Sequence, residues 1–161
     1  MIRSIWVSLV LALVAAPVVG QSTQVAFGAA PQDTGLPVEL TADALRVNQT
    51  DGTAVFDGNV AISQGEMQLM AGAVLVIYRA SADGIARLEA SKGITLRSGP
   101  DQATAETAIY DIDSGQIDLS GSVVFSQGPV TISAQAMTIR LTDGTAELSG
   151  GVKTTLSGGQ D

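Results

Sequence analysis

The sequence predicts an all-β protein assembled from repeated units of about 30 residues, and three observations support that prediction. First, Phe56–Gly65 is repeated in similar form as Leu119–Gly128, with the same Gly, Val and Ser-Gln-Gly positions, and the alternating segment that follows each copy also matches. Second, Asp-Gly pairs, which favour two-residue hairpins, recur at Asp51-Gly52, Asp83-Gly84 and Asp143-Gly144. Third, apolar and polar residues alternate with the period of half-buried strands, and no convincing helical stripe competes.

The first 20 residues do not share this pattern and are typical of a secretory signal peptide. Arg3 precedes an unbroken apolar run from Ile5 to Ala16, which is followed by Pro17 and small residues. A run of about a dozen residues is shorter than the roughly 20 that a membrane-spanning helix needs. We therefore expect cleavage ahead of Gln21, with a cut near Ala29 and a retained membrane anchor as the alternatives.

The remaining chain divides by composition into a lead, one domain and a tail. Residues 21–36 mix Gln, Ser, Gly and Pro without periodicity, which predicts a flexible lead. Structure is expected to begin near Pro37 and to form a single β domain over 37–156, followed by a flexible tail over 157–161. About 140 residues are enough for one domain with its own core.

Charge and composition exclude several functional classes. Without residues 1–20 the chain keeps 7 basic and 16 acidic side chains, a net charge of 7 − 16 = −9, so phosphate backbones are repelled and nucleic-acid binding is excluded. The chain contains no His and no Cys, which excludes Ser-His and Cys-His catalysis and the usual zinc sites. No glycine-rich loop follows a strand and opens a helix, so a nucleotide cofactor has no support.

The strands can be placed in order from residue 38 onward. Alternation predicts strands around Val38–Leu40, Leu45–Val47 and Thr53–Asp57 and along both repeat copies. Gly58 and Gly121 stand at matching positions on the apolar face of their strands, where glycine commonly marks a bend. The alternation also slips by one residue further on, which predicts a bulge or sharp turn near Ala73 and near Ala136.

Two readings remain open for the acidic pair Asp111 and Asp113 and for the apolar interior. The two carboxylates would project from one strand face at about 7 Å, a spacing that paired acids use, but a solvated hairpin is the favoured interpretation. The same stretch lacks the third acidic ligand and the distal Glu of a calcium loop. The interior, rich in slim aliphatic side chains, could be an ordinary core or a groove for alkyl chains.

A family resemblance bears on that choice. The run Pro37–Asp43, then Phe56-Asp-Gly-Asn-Val60 and Ser63-Gln-Gly65, resembles the OstA-like family of periplasmic lipopolysaccharide transport proteins. In that family an opening proline strand leads into Phe-x-Gly-Asn-Val and a Gln-Gly turn, as written here. The resemblance covers essentially residues 37–156.

The resemblance implies a twisted, V-shaped antiparallel β-jelly roll, open along one side, with no enzyme activity and no cofactor or metal. It implies a periplasmic bridge of Gram-negative bacteria that passes lipopolysaccharide from an inner-membrane complex containing LptC to the outer-membrane protein LptD. Acyl chains would lie between the sheets. Partners and further copies of the chain would join end to end by pairing edge strands.

The candidate lipid-binding residues are the inward positions of the matching strands. In the first repeat copy and the strands beside it these are Val38, Leu40, Phe56, Val60, Ile62 and Leu69. In the second copy they are Leu119, Val123, Phe125, Ile132 and Ile139. Leu88, Ile94 and Leu96 are expected in the same interior, and for all of them ordinary packing is the alternative.

Two other functions fit the same fold. The first is an LptC-like accessory of the pathway that keeps residues 5–19 as an inner-membrane anchor. The second is a structural β-repeat module without a ligand. Intact-mass analysis of the exported chain addresses the former, and lipid crosslinking addresses the latter.

Overall fold

The computed structural model describes residues 22–28, 31–81 and 83–158, and these residues form twelve antiparallel strands. The predicted signal peptide lies outside them. The strands are β1 (Thr23–Ala26), β2 (Glu39–Thr41), β3 (Ala44–Asn48), β4 (Thr53–Gln64), β5 (Met67–Tyr78), β6 (Ile85–Ser98), β7 (Asp101–Ala105), β8 (Thr107–Asp111), β9 (Gln116–Gln127), β10 (Val130–Arg140), β11 (Thr145–Ser149) and β12 (Lys153–Leu156). The predicted all-β class is confirmed.

The five long strands bend in the middle, so one continuous sheet folds into two layers. The first layer contains β2, residues 60–64, 67–71 and 94–98, β7, residues 123–127 and 130–134, and β12. The second layer contains β3, residues 53–57, 73–78 and 85–91, β8, residues 116–120 and 136–140, β11 and β1. Buried apolar residues of both layers form one cluster between them. The predicted V-shaped jelly roll is confirmed.

The bends line up across the sheet in a row, which we call the hinge row. Three of its strands turn through consecutive residues with positive φ, at Gly58-Asn59, Lys92-Gly93 and Gly121-Ser122. Their partners across the bend stay hydrogen-bonded, since the Asp43 amide donates to the Gly58 carbonyl at 2.9 Å. The Glu106 amide likewise donates to the Gly121 carbonyl at 3.1 Å. Each layer therefore continues into the other with backbone pairing kept at the bend.

Gly58 and Gly121 occupy equivalent places in the two repeat copies, as the sequence predicts. Both have φ above +80°, a conformation that L side chains rarely adopt. An added Cβ at Gly58 would lie 2.7 Å from Asp43 Oδ2, and one at Gly121 would lie 2.9 Å from Glu106 Cβ. Both the backbone conformation and the lack of space thus require glycine here.

The predicted slips of alternation are confirmed as register irregularities. In the pairing of β5 with β6 the register shifts between Ala71 and Ala73, and in the pairing of β9 with β10 it shifts between Ala134 and Ala136. Because the strands bend at these points, the residues that face the interior change there from odd to even positions in β5 and from even to odd positions in β10. The change of alternation in the sequence therefore shows where these two strands cross the hinge row.

The expectation of a flexible lead over 21–36 is wrong for its described part. Thr23–Ala26 forms β1, which pairs with β11 at the end of the second layer, and Phe27 is completely buried. Four residues are too few to show periodicity. They form a strand because they pair with the edge of β11. At the other end, the Ser157 amide still donates to the Pro129 carbonyl at 2.9 Å, so pairing continues one residue beyond β12.

We expect Gly121→Ala to destabilise the fold more than Gly128→Ala. Gly128 also has positive φ, but nothing lies within 4 Å of an added Cβ. The loss of stability in Gly128→Ala therefore reports only the unfavourable backbone conformation, about 1 kcal/mol. At Gly121 the contact with Glu106 adds roughly 1–3 kcal/mol of overpacking. Urea unfolding of the two variants measures the difference, and equal losses would show that the hinge tolerates a side chain.

Candidate functional site

The eleven candidate lipid-binding residues all belong to the interior between the layers. Eight are at most 3% exposed: Val60, Ile62, Leu69, Leu119, Val123, Phe125, Ile132 and Ile139. Val38, Leu40 and Phe56 are partly buried and pack against the same cluster. Leu88, Ile94 and Leu96 are buried with them, as expected. The layers are thus packed on each other, and an alkyl chain would reach most of these positions only if the layers moved apart.

The apolar inner surface emerges at both ends of the molecule. At the end formed by β2 and β3, Leu45 and Val47 are 54% and 60% exposed, although they pair with Phe56 and Ala54 and therefore face the interior side of their layer. At the end formed by β1 and β12, Leu156 pairs with Val130 and is 71% exposed. The interior therefore continues to each end as an uncovered apolar strip.

The same two ends carry the free edges of the sheet. Within the described part of the chain β2 and β3 pair only with β4, β1 pairs only with β11, and β12 pairs only with β10. An unpaired edge exposes a row of backbone donors and acceptors, which another strand can use. Each end thus offers one free edge per layer, beside exposed apolar side chains.

The side opposite the hinge row, where the hairpin turns of the two layers face each other, holds the buried polar groups. Gln64, Ser98 and Asp101 are at most 5% exposed and all belong to the first layer at these turns. Tyr110 approaches from the second layer, and its hydroxyl donates to Gln64 Oε1 at 2.6 Å. Burial raises the pKa of Tyr110 to about 12.

The N-terminal segment crosses this side, so the expectation of a jelly roll open along one side is wrong for this structure. The Gln32 amide donates to the Leu141 carbonyl of the second layer at 2.8 Å. Gln64 Nε2 of the first layer donates to the Thr34 and Leu36 carbonyls at 3.0 and 2.8 Å. Residues 31–36 therefore pass from one layer to the other across the opening.

Phe27 and Gly28 make a second crossing near the other end. The Phe27 amide donates to the Gly144 carbonyl of the second layer at 2.9 Å. The Gly28 amide donates to Asp101 Oδ2 of the first layer at 2.8 Å, and the Phe27 and Phe125 rings lie 6.4 Å apart. Sequence reasoning missed both crossings because each depends on at least one contact between residues more than 70 positions apart, Gln32 with Leu141 in the first and Gly28 with Asp101 in the second.

One signal for these crossings was present in the repeat itself. From the sequence alone, the Ser-Gln-Gly triplet at the end of each copy indicates only a turn. Its two glutamines, Gln64 and Gln127, both donate through Nε2 to backbone carbonyls of the N-terminal segment, Gln127 to the Ala26 carbonyl at 3.2 Å. The repeat therefore carries a recognition group for that segment as well as a turn.

The acidic pair of the β8–β9 hairpin has a structural role. Asp111 Oδ1 accepts hydrogen bonds from the Ser114 amide and hydroxyl, both at 2.9 Å, and these bonds hold the pKa of Asp111 below its usual range. Asp113 forms an exposed ion pair with Arg79. The favoured interpretation as a solvated hairpin agrees with this arrangement. Across the part of the chain that the structure describes, no three His, Cys, Asp or Glu side chains group closely enough to hold a metal ion.

Comparisons with known proteins agree with this architecture. A family model described as "LptA/(LptD N-terminal domain) LPS transport protein" matches residues 39–145. An uncharacterized protein of Rhizobium meliloti (strain 1021) is 28% identical over 144 residues, covering 84% of this chain and 77% of the relative. The structure of LptH, the LptA homologous periplasmic component of the lipopolysaccharide transport device of Pseudomonas aeruginosa, matches with a TM-score of 0.69. That match has 15% identity and covers 80% of this chain and all of LptH, so it shows the shared fold.

The fold and its interior define a β-jelly-roll protein whose two layers enclose one apolar cluster. Because the family model matches well over half of the chain, the protein belongs to the LptA and LptD N-terminal domain family and has a role in lipopolysaccharide transport. It is not an enzyme. In residues 22–28, 31–81 and 83–158 we found no helix long and apolar enough to cross a membrane.

The buried Tyr110 predicts a specific loss of stability at alkaline pH. The unfolded phenol ionises near pH 10, whereas the folded one keeps its proton to about pH 12, so stability present below pH 10 is lost as the pH rises to 12. The full loss is about 2–3 kcal/mol. Urea unfolding between pH 9 and 12 should show this loss in the wild type and a smaller one in Tyr110→Phe. Equal losses in both would assign the alkaline effect to other groups.

Proposed function

We propose that the protein is a periplasmic bridge that carries lipopolysaccharide toward the outer membrane and shelters its acyl chains between the two layers. The observation that carries this proposal is the continuous apolar interior that emerges at both ends beside free strand edges. An acyl chain of about a dozen carbons costs on the order of 10 kcal/mol to leave in water. A route that passes such chains between proteins therefore benefits from an apolar surface that continues across each junction.

The chemistry of the interior suits acyl chains better than the sugar and phosphate part of the molecule. The interior positions are Val, Ile, Leu, Met, Ala and Phe with one Tyr, and the chain without residues 1–20 carries a net charge of 7 − 16 = −9. Recognition would come from burial of alkyl surface, with the sugars left in water. The eight candidate positions that are fully buried become available when the layers separate.

The partners that fit the two ends are further β-jelly rolls joined edge to edge. LptC on the inner-membrane side, LptD on the outer-membrane side and other copies of this chain could each add strands to both layers at once. Such a junction would continue both sheets and the apolar strip between them. It would also cover Leu45 and Val47 at one end and Leu156 at the other.

The position of β1 favours cleavage of the leader ahead of Gln21 over cleavage near Ala29. A cut near Ala29 would remove β1 and Phe27, which is completely buried. Intact-mass analysis of the exported protein tests this proposal. Retention of residues 5–19 in the membrane would instead favour an LptC-like accessory.

A photo-crosslinking phenylalanine analogue at Phe56 or Phe125 should capture lipopolysaccharide, because both side chains face the interior. Val124 provides a matched control, since it neighbours Phe125 on the outer face of the same strand and is 36% exposed. We expect strong capture at the two inner positions and little at Val124. Equal labelling inside and outside, or none, would favour a structural module without a ligand.

Thr154→Pro should weaken end-to-end association while leaving the fold largely intact. Thr154 lies in the exposed edge strand β12, where proline removes a backbone donor and fixes φ. Thr154→Ala keeps the donor and serves as the control, and Leu40→Pro tests the opposite end. Light scattering measures association and circular dichroism checks the fold. Wild-type association in both proline variants would contradict edge pairing.

A further inference from the structure

Residues 31–36, which we call the latch, are the part of the chain that most directly holds the two layers together opposite the hinge row. On the second layer, the Gln32 amide bonds to the Leu141 carbonyl, and Thr34 Cγ2 lies 3.1 Å from the position of a Cβ built at Gly115. On the first layer, Gln64 binds the Thr34 and Leu36 carbonyls. The latch thus has contacts on both sides of the opening.

The covalent path of the chain decides which of these contacts must break. Beyond the latch, Val38 packs against the core and β2 pairs with β4 in the first layer. The latch is therefore attached to the first layer through β2, while the chain before it reaches the second layer through β1. For the layers to separate at this side, the latch must leave the second layer, which means losing the Gln32 bond, the Thr34 contact and the Tyr110 bond to Gln64.

The polar groups in the interior are arranged for this segment. Of the described residues, the buried non-aromatic polar side chains are Gln64, Ser98 and Asp101, and two of the three bond to the N-terminal segment. Gln64 is almost completely buried and bonds two latch carbonyls, while its repeat partner Gln127 bonds the Ala26 carbonyl. An apolar core needs no such groups. Their placement indicates a surface that recognises backbone.

The latch contacts are also easier to break than the rest of the interface. The latch bonds described above are neutral hydrogen bonds at the edge of the interior, whereas the layers elsewhere are joined by buried aliphatic packing, by the continuous strands of the hinge row and by the second crossing with its buried Phe27 ring. On the first layer the latch contacts Gln64 of β4 and runs directly into β2, one of the two strands of the end where Leu45 and Val47 are exposed.

From this geometry we propose that the latch is a displaceable closure of the interior, and that entry of an alkyl chain requires its release from the second layer. Gln64 and Tyr110 hold it closed in the empty protein. This inference rests on the proposed function in one respect, namely that the interior takes alkyl chains. It adds that the empty interior is kept shut by the protein's own N-terminal segment.

A disulfide between Thr34→Cys and Gly115→Cys tests the proposal. The distance of 3.1 Å from the Gly115 Cβ position to Thr34 Cγ2 places the two Cβ atoms within about 4.6 Å, close to the disulfide range. The natural chain has no cysteine, so the pair can form only with itself. The single variant Gly115→Cys controls for the strain of a side chain at φ +66°.

The probe is an amphiphile with one dodecyl chain and an environment-sensitive fluorophore. We expect the oxidised double variant to bind it at least tenfold more weakly or more slowly than the same protein after reduction. The reduced double variant and the single variant should match each other. Equal binding in the oxidised and reduced states would overturn the proposal, and so would no binding in either state.

Lipopolysaccharide is titrated in parallel to separate this inference from the proposed function. Gated binding of the dodecyl probe without any binding of lipopolysaccharide would support the latch and contradict the proposed cargo. Equal binding of lipopolysaccharide by the oxidised and the reduced double variant would support lipopolysaccharide as the cargo and would contradict the proposal that the latch closes the interior. The two failures are therefore distinguishable.

A measurement without ligand gives a second test. The double variant Gln64→Ala with Tyr110→Phe removes the side-chain bonds that hold the latch and leaves no buried hydroxyl without a partner. Hydrogen exchange of the Gln32 amide should accelerate at least tenfold, while the amides paired between β5 and β6 keep their rates. Unchanged exchange at Gln32 would overturn the role of Gln64 and Tyr110. Global acceleration would do the same, since it would assign them to overall stability.

Discussion

The bend of the backbone at the hinge row is the constraint on which the other features of this structure depend. Left-handed residues such as Gly58 and Gly121 let three of the five long strands, β4, β6 and β9, leave one layer and enter the other while their neighbours stay hydrogen-bonded at the bend. Because every long strand bends along the same line, the two inner faces meet and bury one apolar cluster. On the side opposite the bend, no strand of the described residues crosses between the layers, and closure there depends on the two crossings of the N-terminal segment.

Features repeated along the chain were predictable from the sequence. The strands, the bends at Gly58 and Gly121 and the irregularities near Ala73 and Ala136 all leave a local trace, either a glycine on an apolar face or a change in parity. The inward residues follow from the same alternation. Local patterns are sufficient here because antiparallel neighbours are also neighbours along the chain.

The closure of the open side left no comparable trace. β1 has only four residues and borrows its conformation from β11, more than 100 positions away, while residues 31–36 contact turns from both repeat copies. Gln64 was visible as part of a repeated triplet, but a turn explained it equally well. The sequence also could not decide whether the candidate positions were exposed in a groove or packed, and the structure places eight of the eleven in a closed interior.

The repeated strand pair has a geometric consequence for the length of the molecule. The pair β4 and β5, like the pair β9 and β10, supplies two long strands that each cross both layers, so one more such unit would widen both sheets by two strand spacings, about 10 Å. The cross-section, which is fixed by strand length on either side of the bend, would stay the same. Evolution could therefore lengthen such a molecule in steps without redesigning its interior.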